Sequence, residues 1–118
     1  MCFLKRKNMK TISDAKPSIV ETYVEFATRR YMVNINIVPI GNDWEYDRVE
    51  IHAGKWNYSG IVDALVQYKY PIDKMQAVIN NYLLDPNDAY AIDEFNKMQA
   101  WRKEAKEIAK EALLYELY

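Results

Sequence analysis

Arg30-Tyr31-Met32-Val33-Asn34-Ile35-Asn36-Ile37-Val38-Pro39-Ile40 is the stretch on which the fold turns. Its period is two: Tyr31, Val33, Ile35 and Ile37 share one face of an extended chain and Met32, Asn34, Asn36 and Val38 the other. Pro39, Gly41, Asn42 and Asp43 then supply turn residues. The chain resumes at Trp44 and Tyr46, after which Val49, Ile51 and Ala53 alternate with Arg48, Glu50 and His52. The pair of runs predicts a β-hairpin, with Pro39 at a strand end or edge because it has no N–H to donate.

Upstream, residues 18–28 admit two readings. Ser18 and Glu21 have the spacing of a capping box, and Ile19, Val20, Tyr23, Val24 and Ala27 recur on one helical face, which favours a short helix. Val20, Thr22, Val24 and Phe26 also alternate, so a strand competes. Residues 1–16 read as a basic tail before a single domain over 17–118, and the stub before Met9, itself a second start, is given no structural role.

Downstream, three helices are expected. Ser59 is a candidate cap for a helix to Lys69 with Ile61, Val62, Leu65 and Val66 inward. Pro71 opens the next, to Leu84, with Met75, Val78, Ile79 and Tyr82 at helical spacing. Asp85-Pro86-Asn87-Asp88 is a turn, and no Gly or Pro follows it. A long amphipathic helix over about 88–116 results, with Ala91, Ile92, Phe95, Met98, Trp101, Ala105, Ile108 and Ala112 on its apolar stripe. The fold class is therefore α+β: a β-hairpin followed by three helices, preceded by a short helix or strand.

At 118 residues, half of them apolar and 28% charged, the chain suits one globular domain. The net charge of −1 conceals seven basic and three acidic groups in residues 1–30, against five and eight in residues 85–118. The near-neutral total gives no general attraction to nucleic acid or to an anionic membrane. Cys2, the only cysteine, excludes an internal disulfide and fits a reducing compartment. The opening apolar run is too short for a signal peptide, and no stretch approaches the ~20 apolar residues of a membrane span, so a cytoplasmic protein, or a virion component, is expected.

The residue types that carry chemistry are sparse. His52 is the only histidine and reads as an exposed strand residue. Asp43, Glu45, Asp47 and Glu50 superficially resemble the start of a calcium loop, but Arg48 stands where glycine is required and Gly54 where the closing glutamate belongs. No phosphate loop, histidine pair or CxxC occurs, so no enzyme activity, metal or cofactor is expected. The adjoining short helices could be read as helix-turn-helix, but the second offers Asp73, Lys74, Gln76, Asn80 and Asn81 without an arginine.

Three segments carry a resemblance: Lys55-Trp56-Asn57-Tyr58-Ser59-Gly60-Ile61-Val62-Asp63-Ala64-Leu65, Met75-Gln76-Ala77-Val78-Ile79-Asn80-Asn81-Tyr82-Leu83-Leu84, and Phe95-Asn96-Lys97-Met98-Gln99-Ala100-Trp101-Arg102-Lys103-Glu104-Ala105-Lys106. They resemble small uncharacterised proteins of gut Bacteroidota and their phages, and Trp101-Arg102 is similar to the ends of some phage tail-assembly proteins. The resemblance implies docking to larger components. Ten tyrosines and three tryptophans point the same way, because aromatic residues anchor protein interfaces. The expectation is a non-catalytic interaction or assembly protein, phage or mobile-element associated, that binds a protein partner or itself through the C-terminal helix. Its candidate interface is Trp44, Tyr46, Trp56, Met98, Trp101, Ala105, Ile108 and Ala112. The alternative is a small nucleic-acid-binding regulator using the hairpin, with Arg29, Arg30, Arg48 and Lys55, or the helix pair.

Overall fold

The structure, a computed structural model, describes residues 8–115. The expected hairpin is β3 (Thr28–Ile40) and β4 (Asp43–Ile51), joined by Gly41 and Asn42 with Gly41 at positive φ. It is the centre of a larger sheet. β1 (Asn8–Ser13) pairs antiparallel with β4, and β2 (Val20–Glu25) with β3, giving the order β1-β4-β3-β2. Three helices follow: α1 (Tyr58–Lys69), α2 (Ile72–Leu84) and α3 (Ala89–Leu113).

Two expectations change here. Residues 8–13, assigned to the basic tail, form β1, because the free edge of β4 offers unpaired peptide groups and Lys10 reaches Glu45 and Asp47 across the ladder. Residues 1–7 of that tail, with Cys2, lie outside the described residues. Within residues 18–28 the strand reading holds. Glu21 closes no capping box: its carboxylate accepts from the Asn34 amide on the adjacent β3 and from the Arg48 guanidinium on β4, one strand further.

A bulge breaks the alternation of β3. Ile35 faces Asp47 and Val38 faces Glu45, so Asn36 and Ile37 together oppose the single Tyr46. Asn36 has φ 55°, the left-handed conformation that asparagine tolerates better than most residues. Val38, not Ile37, thereby follows Ile35 on its face of the sheet.

One face of the sheet carries the core. Val20, Val33, Ile35, Val49 and Ile51 pack beneath Ile61, Leu65 and Val66 of α1 and Trp101, Ala105, Ala109 and Ala112 of α3. The three alanines are fully buried, and their small side chains let a long helix lie close to its neighbours. The other face carries a polar ladder, in which Arg48 meets Glu21 and Arg30 meets Glu25 and Glu50.

The helix boundaries follow local chemistry. Asn57, rather than Ser59, caps α1 by accepting from the Gly60 N–H at 2.8 Å. A Cβ on Gly60 would stand 2.1 Å from the Lys55 carbonyl oxygen, so only glycine fits that close passage. Asp88 caps α3 by accepting from the Tyr90 N–H. α3 ends at Leu113, and the end expected at 116 lies outside the described residues.

Candidate functional site

The expected helix interface is turned inward. Met98, Ala105 and Ala112 are fully buried, Trp101 is 4% exposed, and Ile108 packs against the same core. These residues form the chain's own core rather than a docking stripe. The physical reason is that α1, α2 and the sheet together line the whole length of a helix that looked too long for one domain. The Trp101 indole donates to the Leu65 carbonyl oxygen at 2.9 Å, and the Lys69 ammonium sits 4.1 Å above its ring.

The aromatic residues near the hairpin separate in the same manner. Tyr46 is buried opposite the bulge, and Trp56 stacks on Tyr31 with ring centroids 5.1 Å apart. Trp44 stays half-buried at the hairpin end, with Lys16 5.3 Å over its ring.

The acidic residues of β4 do not converge. Asp43, Glu45 and Asp47 lie on one face of the strand and Glu50 on the other, where Arg30 holds it at 3.0 Å. Asp47 is buried, and three elements serve its carboxylate. Asn36 donates to Oδ2 at 2.7 Å, Lys10 lies 3.1 Å from Oδ1, and the Tyr68 hydroxyl approaches from α1. Burial alone would raise this carboxyl, but the three donors and the Lys10 charge together hold it below its ordinary value. The cluster clamps β1 and α1 to the bulge. His52 is exposed just past β4, and among the described residues no three His, Cys, Asp or Glu side chains are grouped to hold a metal.

The outlier is at the other end of the sheet. β2 and β3 are joined by Phe26 and Ala27 alone, with φ of 50° and 61°. Such a two-residue turn requires positive φ at both positions and ordinarily takes Asn or Gly there. Each L-residue with a Cβ costs roughly 1–2 kcal/mol in that conformation. Phe26 is also 92% exposed, and Val24 beside it is exposed. The turn was missed in the sequence because it lacks Gly, Asn and Asp, and Phe26 simply continues the alternation of β2.

A cleft of about 150 Å³ lies where β2 parts from β3. Ile19, Ile35, Ile37 and Ile108 line it together with Asn34 and Asn36, and Glu104 and Glu111 stand two helical turns apart along its α3 side. Both glutamates are exposed, and among the described residues neither has an ion-pair partner. Among the described residues no helix is long and apolar enough to cross a membrane. The fold is thus α+β, and comparison of the chain with protein-family models, with curated proteins and with solved structures finds no match.

Proposed function

We infer that the protein is a small non-catalytic docking protein that works through protein–protein contact, in the assembly of a phage or mobile element. The observation that carries the reading is Phe26: a large aromatic side chain held in solvent at a turn that its residue type disfavours. Strained backbone at an exposed apolar residue costs stability in the free chain, and a partner that buries the ring recovers it. The docking element in this reading is the tip of the β2–β3 hairpin, rather than α3.

Protein is favoured over nucleic acid because two of the hairpin arginines are paired with acids. Arg30 is held by Glu25 and Glu50, and Arg48 by Glu21. A phosphate-binding surface needs such cations facing the ligand.

The test is site-specific photo-crosslinking in cells of the native host, with Phe26 replaced by p-benzoylphenylalanine and the exposed Tyr90 replaced likewise as control. A discrete protein adduct from position 26 and none from position 90 is the expected result. Equal, diffuse labelling from both positions would overturn the docking reading.

A further inference from the structure

We propose that the cleft between β2, β3 and α3 is a binding site for a linear aliphatic diamine, whose two ammonium groups meet Glu104 and Glu111 and whose methylene chain lies on the isoleucines between them.

The lining sets the class of ligand. Ile19, Ile35, Ile37 and Ile108 supply apolar surface, and among the described residues no lysine or arginine lines the cleft. Its polar groups are left with acceptors to offer. Asn34, 2% exposed, donates its amide N–H groups to the Ser18 carbonyl and the Glu21 carboxylate, so that its buried Oδ1 has no donor. Asn36 turns its amide N–H to Asp47. A buried acceptor without a donor is uncommon in a folded chain, and here it lies beside two carboxylates.

Glu104 and Glu111 find no cation on their own helix. The positions three and four residues from Glu104 are Ala100, Trp101, Glu107 and Ile108, and those from Glu111 are Glu107, Ile108, Leu114 and Tyr115. The one charged residue in either set, Glu107, has the same sign and adds repulsion. Elsewhere on α3 the acids are matched: Lys97 pairs with Asp93, and Lys110 with Glu107.

Spacing gives the ligand two charges rather than one. Seven residues at ~1.5 Å each put Glu104 and Glu111 about 10 Å apart along one side of α3, with Ile108 between them. That separation does not suit a single metal ion, whose oxygen ligands converge to within ~2.5 Å of it. An extended chain advances about 1.2 Å per bond, so a diamine of roughly six to eight methylenes spans the two carboxylates. The cleft, of about 150 Å³, is open to solvent along one side; an apolar cavity of about that volume holds the six carbons of benzene.

Titration of ¹⁵N-labelled protein with octamethylenediamine, followed by NMR, tests this. Saturable shifts are expected at the amides of Ile19, Ile35, Ile37 and Ile108. Octylamine, with one cation, and tetramethylenediamine, too short to reach both carboxylates, should each bind at least about fivefold more weakly. E104Q/E111Q, which keeps the shape of the rim, should weaken the diamine by at least about fivefold, whereas D93N/E94Q, which removes the same charge elsewhere on α3, should leave it within about twofold. No saturable shift at the cleft, equal weakening in the two double variants, or octylamine binding as tightly as the diamine would each overturn the proposal. Tighter binding of a peptide with two lysines would overturn it too, and would give the cleft to a protein partner. F26S lies outside the cleft and should bind the diamine as wild type does, so this site and the docking reading are tested separately.

Discussion

The indole Nε1 of Trp101 donates to the carbonyl oxygen of Leu65 across the α1–α3 packing, thirty-six positions away in the chain. This bond, with the ring 4% exposed, makes Trp101 the pin between the two helices. Its loss acts on the fold before it acts on any partner.

Trp101→Ala should therefore destabilise the protein by ~3–5 kcal/mol, the usual result of emptying a buried tryptophan site. Trp101→Phe should lose less, because the ring volume is largely kept. Urea unfolding of both variants checks the order. A Trp101→Ala protein as stable as wild type would contradict the packing described.

Gly60→Ala should destabilise by more than ~1 kcal/mol, since the added Cβ meets the Lys55 carbonyl at 2.1 Å and the backbone must shift. Asn57→Ala at the adjoining cap should cost about 1 kcal/mol through loss of the bond to the Gly60 N–H. Thermal melts of the two variants, followed at the same helical signal, rank the effects.

Asp47 gives a pH dependence whose sign follows from its lowered carboxyl. Near neutral pH, above the ordinary value of 3.8, its contribution to stability is full. It is lost as pH falls below that value and through the depressed folded one, because the unfolded chain then takes up the proton first. Asp47→Asn should thus be less stable than wild type at pH 7, and the gap should narrow at pH 3. Denaturant curves at the two pH values decide it; a gap of constant size would show that the charge is not responsible.

The turn at Phe26 predicts a trade between stability and docking. The double variant F26N/A27G relieves both left-handed positions and should stabilise the isolated protein by ~1–2 kcal/mol. It should also weaken the docking that depends on the ring. A variant both more stable and fully competent in assembly would remove Phe26 from the proposed function.

The strands at the heart of the sheet were legible because Tyr31, Val33 and Ile35 keep a strict period against Val49 and Ile51. The helices were legible because Pro71, the Asp85–Asp88 turn and the stripe from Ala91 to Ala112 punctuate them. β1 was not, since Asn8 to Ser13 has little apolar pattern and becomes a strand only where β4 presents an edge. The turn at Phe26 was hidden for a related reason: tertiary pairing, rather than local residue preference, holds it.

The sequence by itself determined the central hairpin, the three helices and which residues are apolar, because those follow from local period and punctuation. Only the tertiary structure decided which apolar residues remain outside. Met98, Trp101, Ala105 and Ala112 have the pattern of a surface stripe and are covered by α1, α2 and the sheet; Phe26 has the pattern of an ordinary strand residue and is left in solvent. Periodicity identifies a face, but burial depends on whether another part of the chain reaches it.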